Sequence, residues 1–135
     1  MISTFLALII SCNKSDDFGE VNTGGSKYKA GDGVFVVNEG NYGQGNGSIS
    51  FFRFDSAKIE NDIFYQANNR PLGDVPVSME IIGENAWVVV NNSAKIEVVS
   101  LKDFSSVATI QGFVSPRFIL QVSENKAYIS DLYGD

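Results

Sequence analysis

Ten side chains in this sequence have the types and loop settings to recognise a polar molecule: Asn38, Glu39, Asn41, Tyr42, Arg70, Asn91, Asn92, Arg117, Asp131 and Tyr133. Amides both donate and accept hydrogen bonds, and the hydroxyl, carboxylate and guanidinium groups extend that set. Together they fit a large polar ligand that itself carries amide groups. Asn38, Asn91 and Asn92 are equally at home in turns for backbone reasons alone, and Arg117 could instead tie neighbouring elements together through backbone carbonyls. Both readings stand for these four residues. Tyr42 is different, because in Gly40-Asn41-Tyr42-Gly43-Gln44-Gly45-Asn46-Gly47 it is an aromatic with little nearby to pack against.

Catalytic chemistry has less to work with. The chain has no His, so alone it makes no Ser-His-Asp triad, His-ligated zinc site or His-ligated haem, and one Cys makes no soft-metal cluster. Glu39, Asp131 and Asp135 supply oxygen atoms that could join a calcium site, but scattered loop carboxylates are an unspecific signal. The glycines at 43, 45 and 47 join two strands rather than opening a helix, which removes the phosphate-cradle reading. With 10 basic against 16 acidic residues, a net charge of −6 and no Lys/Arg cluster, a phosphate-backbone surface lacks its electrostatic basis. The sequence predicts a binding protein and not an enzyme, with no cofactor, no metal and no nucleic-acid partner.

The elements that must position these residues are strands. Val77 to Ile81 alternates apolar and polar as a half-buried strand does, and Trp87 to Val90 is apolar throughout, as expected of a strand covered on both faces. Lys95 to Val99 and Ser106 to Ile110 complete a four-strand series, the last of them an outer strand, separated by turns at Gly83-Glu84-Asn85, Asn91-Asn92-Ser93 and Leu101-Lys102-Asp103-Phe104. From Arg117 the series starts again. Ala127-Tyr128-Ile129-Ser130 follows Ala86-Trp87-Val88-Val89 at 41 residues, inside the roughly 40–45-residue period of four-stranded propeller blades. An earlier copy enters at Gly33 without an inner strand, continues through Ser48 to Phe52, and is read with Ile59 to Tyr65 as its outer strand. The aromatic at Phe35, Trp87 and Tyr128 recurs at one position and reads as packing between stacked blades.

The predicted fold is therefore all-β: about two and a half four-stranded blades, the N-terminal portion of a β-propeller. In that order of strands, the connections 39–46, 91–94 and 132 onward share one face with 67–76 and 111–116. All ten polar candidates fall on or beside that face. Composition agrees, with 44% hydrophobic residues, 13 Gly and only 3 Pro.

The N-terminus carries a separate signal. Phe5 to Ile10 is apolar but too short to span a bilayer, and it ends at Ser11-Cys12. Ile9-Ile10-Ser11-Cys12 resembles a bacterial lipobox, which implies cleavage before Cys12 and lipidation of its sulfur; no Lys or Arg precedes Phe5, and a buried strand with a stray thiol is the alternative. The expected organisation is a signal peptide over 1–12, a polar tether over 13–31 and the partial propeller over 32–135. Lys14-Ser15-Asp16-Asp17 is similar to the acidic surface-export signal of Bacteroidota lipoproteins, and reads equally as a solvated linker.

The string Val36-Val37-Asn38-Glu39-Gly40-Asn41-Tyr42-Gly43, with Gly47 to Phe52 after it, resembles the opening blade of Bacteroidota surface lipoproteins built on a YncE-like (YVTN-type) seven-bladed propeller. Val89-Val90-Asn91-Asn92-Ser93 with Lys95 to Val99 is similar to the repeat of that family. The resemblance spans residues 33 to 135. It implies a lipid-anchored protein at the cell surface of the outer membrane that captures a nutrient, cobalamin or a related corrinoid, for a TonB-dependent transporter. The alternatives are a protein-interaction platform and a calcium- or quinone-dependent propeller enzyme.

Overall fold

The computed structural model describes residues 25–29 and 31–134. Cys12, the signal peptide, most of the tether and Asp135 lie outside the described residues.

The described chain is an all-β meander in three antiparallel sheets. Sheet 1 contains β1 (Gly33–Asn38), β2 (Ser48–Arg53) and the two-residue β3 (Ile59–Glu60), in that order. A short helix, α1 (Ile63–Asn68), follows it. Sheet 2 has four strands in sequence order, β4 (Pro76–Ile82), β5 (Asn85–Val90), β6 (Lys95–Ser100) and β7 (Ser106–Gln111). Sheet 3 is the hairpin β8 (Pro116–Ser123) and β9 (Lys126–Asp131).

The sheets pack face against face, with β1 meeting β4 and β4 and β5 meeting β8. This explains the unbroken apolar run in β5. Ala86, Val88 and Val90 enter a core shared with sheet 1, while Val89 and the half-buried Trp87 enter a second core shared with sheet 3. Burying a valine side chain contributes about 1.5–3 kcal/mol, so the middle strand anchors both layers. The exposed Val107, Ala108 and Thr109 of β7 agree with an outer strand.

The repeat is written into the backbone irregularities as well. A bulge interrupts β4 against β5 between Pro76 and Ser78, and another interrupts β8 against β9 between Pro116 and Phe118. The Asn91 N–H donates to the Val75 carbonyl, and at the matching place the Leu132 N–H donates to the Ser115 carbonyl. Proline lacks the N–H that a regular ladder requires at this place, so a bulge accommodates it.

Two expectations need correction. Ile59 to Tyr65 is not one outer strand: pairing stops at Glu60, Asp62 takes a left-handed backbone (φ 51), and α1 begins at Ile63. Ile63 and Phe64 are consecutive and both fully buried. A strand would send them to opposite faces, whereas a helical turn against β2 delivers both to the core. The packed region also reaches back beyond residue 32 into the expected tether. Tyr28 is buried, its N–H donates to the Leu101 carbonyl at 3.1 Å, and its ring meets Phe51 and Phe104 edge-on. Of the recurring aromatics, Phe35 packs on the first core and Trp87 on the second, but Tyr128 is 56% exposed.

Candidate functional site

The connections after β1, β5 and β9 gather at one end of the sheets, and two carboxylates fasten them. Asp74 lies on the connection from α1 to β4. Its carboxylate accepts from the Gly43 N–H at 2.8 Å, from the Gly45 N–H at 3.3 Å and from the Asn92 side-chain amide. The backbone N–H of Asp74 in turn donates to Ser93 Oγ at 2.9 Å. One residue thus joins the loop of sheet 1 to the turn of sheet 2. Asp131, the last residue of β9, makes a different tie: it accepts from the Val114 and Ser115 N–H groups at 2.7 and 2.6 Å and so fixes the β7–β8 connection to the end of its own hairpin.

These bonds hold both acids in their charged form. The Asn92 amide, helped by the Gly43 and Gly45 N–H groups, keeps Asp74 below its ordinary carboxylate value, and the Val114 and Ser115 N–H groups do so for Asp131. Stability from such groups is complete above the unfolded-state value of about 3.9 and is lost as pH falls through the lower folded value. The stabilisation that these two acids give the seam is therefore complete at neutral pH and should fall away in acid.

Close backbone approach completes it. Gly47 and Gly73 form an isolated antiparallel bridge, and a Cβ on Gly47 would stand 2.1 Å from Pro76 Cδ. Gly40 has φ +73 and sits against Asn46, whose Oδ1 accepts the Asn41 N–H at 2.8 Å. The long connection 39–47 is thereby a bonded loop with a defined path.

The sequence-derived residues divide by what they already hold. The Asn91 amide donates to Ser115 Oγ and to the Pro116 carbonyl, both at 2.9 Å, clamping sheet 2 to the start of sheet 3. The Asn38 amide donates to Ser48 and Ser50, and Ser50 donates to Asn61. Arg117 is half-buried in β8, where its carbonyl accepts from Ser78 Oγ. Arg70 turns elsewhere: its guanidinium lies over the Phe64 ring and pairs at 2.7 Å with Glu97, which is fully buried on β6. Lys95 pairs with the same carboxylate at 2.8 Å, and Ser106 and Thr109 donate to it. Glu39, Tyr42 and Tyr133 stand exposed at the seam, Tyr42 at 79%.

Asp74 and Ser115 escaped the sequence reading although they build the seam, and Ser93 entered it only as a turn residue. A Gly-Asp pair two residues before a strand-opening Pro was the available sign. Among the described residues no group of three or more His, Cys, Asp or Glu is placed to hold a metal ion, and no helix is long and apolar enough to cross a membrane. At the opposite end, a cleft of about 250 Å3 lies between the β4–β5 and β8–β9 turns, lined by Ile82, Trp87, Glu124 and Lys126 among others.

A family model described as a domain of unknown function, DUF5074, matches residues 32–134. No curated protein matches the chain.

Proposed function

The chain belongs to the DUF5074 family, and on that premise we propose that it is part of a β-propeller lipoprotein that captures a polar nutrient on its loop seam, a corrinoid such as cobalamin, for a TonB-dependent transporter in the outer membrane. The observation that carries this reading is the contrast within the seam. Its backbone is fastened by Asp74 and Asp131, while Glu39, Tyr42 and Tyr133 are left exposed on those fastened loops. Loops held in place before a ligand arrives spend little ordering entropy on binding, and exposed tyrosines offer a flat apolar body with a polar tip. The four-stranded sheet with its repeated bulges supports the propeller reading, and the string from Val36 to Gly43 supports the family resemblance from which the corrinoid is taken, without itself singling out that ligand.

Calorimetry with cyanocobalamin on the 135-residue chain tests the proposal. Tyr42→Ala and Tyr133→Ala should each weaken binding by about 5- to 150-fold, equivalent to about 1–3 kcal/mol, with the fold unchanged. Glu84→Ala, an exposed residue on the β4–β5 turn at the other end, should leave binding as it is. These variants are cleaner than Asn91→Ala, which also breaks the clamp on sheet 3. Absence of binding by the unaltered chain removes the corrinoid, and an equal loss from Glu84→Ala removes the loop seam.

The lipid anchor has its own readout. Expression in a Gram-negative host should give a mature protein beginning at an acylated Cys12, seen by mass spectrometry, with more than one acyl chain for stable membrane retention. Cys12→Ala should release the protein from membranes. An unmodified Cys12 overturns this part alone.

A further inference from the structure

We propose that Asn46 is a self-modification site gated by the loop seam: it stays an amide while the seam is closed and converts to isoaspartate when the 39–47 connection lifts. Asn46 is the one asparagine of the chain followed by glycine. That order matters chemically, because the backbone nitrogen of the next residue can attack the asparagine Cγ, and glycine has no side chain to hinder the approach. The Gly47 nitrogen gives its proton to solvent base and bonds to Asn46 Cγ, and the Cγ–Nδ2 bond breaks with release of ammonia. Water then opens the resulting cyclic imide at either carbonyl, giving aspartate or the longer isoaspartate. Water is the only co-reactant, and Asn46 is exposed to it.

The closed seam restrains both partners of this reaction. Gly47 is buried, and its N–H donates to the Gly73 carbonyl at 3.1 Å within the Gly47–Gly73 bridge, so the attacking nitrogen is engaged elsewhere. Asn46 Oδ1 accepts the Asn41 N–H at 2.8 Å, which fixes the side chain under attack. Cyclisation needs both bonds broken, and its rate therefore tracks the fraction of molecules whose loop has opened locally. Asp74 sets that fraction. Its carboxylate takes the Gly43 and Gly45 N–H groups of the same loop together with the Asn92 amide.

Conversion to isoaspartate runs one way. It adds a carbon to the main chain between residues 46 and 47, where the packing has no room for one: a Cβ on Gly47 would stand 2.1 Å from Pro76 Cδ, and a Cβ on Gly40 would stand 2.9 Å from the main-chain carbonyl carbon of Asn46. The product also carries a new carboxylate on the loop that the Asp74 carboxylate fastens. A molecule that has reacted keeps its 39–47 connection open, so Asn46 records how long the seam has been apart. This inference rests on the geometry of the seam and not on the ligand, so loss of the corrinoid assignment leaves it standing.

Peptide mass mapping of the 135-residue chain after incubation at mildly alkaline pH tests the proposal, with circular dichroism reporting that the sheets are kept. The unaltered chain should convert at Asn46 at least about tenfold more slowly than the same chain in denaturant, because reaction waits for a local opening. Asp74→Ala and the milder Asn92→Ala should each raise the native rate by at least about fivefold, since each removes hydrogen bonds that close the loop. Glu84→Ala, exposed at the other end, should leave the rate as it is. Chains carrying isoaspartate, separated from unreacted ones, should be cut more readily by a protease within 39–47. Native and denatured chains that convert at one rate overturn the proposal. So do folded Asp74→Ala and Asn92→Ala chains that react no faster than the unaltered one, or isoaspartate chains cut no faster than unreacted chains.

Discussion

Glu97→Ala should lower the stability of the chain by about 3 kcal/mol, measured by chemical denaturation. Glu97 is fully buried and gathers Arg70, Lys95, Ser106 and Thr109 around one carboxylate. Removing it strands Lys95, whose side chain is only slightly exposed, with an uncompensated charge. The expected loss sits at the low end of the range of about 3–5 kcal/mol for a broken buried pair, because Arg70 has room to swing toward water. Burial by itself would raise the Glu97 carboxyl, but the Arg70, Lys95 and Ser106 hydrogen bonds outweigh it and hold the group below its ordinary value. A carboxylate depressed in the folded state contributes fully above its unfolded value of about 4.3, and that contribution is lost as pH falls through the folded value. The unaltered chain should thus lose stability below about pH 4 more steeply than Glu97→Ala. Matching acid profiles would show that Glu97 does not govern that loss. The same geometry makes Arg70→Ala a poor probe of ligand binding, since it weakens the fold as well.

Phe104→Ala should cost about 3–5 kcal/mol, read as a fall in the denaturation midpoint with an unchanged slope. The ring is fully buried, 5.4 Å from Tyr28 edge-on and 5.7 Å from a stacked Phe35, so its loss empties the junction of sheet 1, sheet 2 and the segment before β1. Its backbone carbonyl also accepts the Asn68 amide at 3.0 Å, which ties down the end of α1. Phe104 has φ 65, a conformation that disfavours side chains other than glycine. Packing holds the residue there. Phe104→Gly should consequently be no worse than Phe104→Ala, even though glycine normally loses more entropy on folding. A much less stable glycine variant would mean that the left-handed backbone does not persist once the ring is gone.

The parts of this fold that the sequence announces are those with a short period. Sheet 2 falls within one or two residues of the boundaries read from alternation and turn chemistry, because period-2 patterning and the Asn91-Asn92-Ser93 turn act over a few residues. The grouping of loops at one end was equally legible, since it follows from strand order. What stayed hidden depends on partners far along the chain. Arg70 looks like a loop cation until β6 brings Glu97 to it from 27 residues away. Tyr28 looks like part of a polar tether until the β6–β7 turn accepts its N–H. The asparagines illustrate the same limit: Asn91 and Asn92 do lie at the seam, but their amides are occupied by Ser115, Pro116 and Asp74. Residue type identified the place, and only the fold distinguished the groups that build it from those it leaves open.

Trp87 is the one tryptophan of the chain, and it stands at the seam between sheets 2 and 3 with its indole N–H buried and unpaired among the described residues. Its intrinsic fluorescence accordingly reports on that seam and is blind to the aromatic cluster beneath sheet 1. An emission spectrum that shifts to the red before the far-ultraviolet dichroism changes would record the hairpin of sheet 3 lifting away while the other two sheets stay joined. The molecule thus contains its own label for telling a peeling loss of structure from a concerted one.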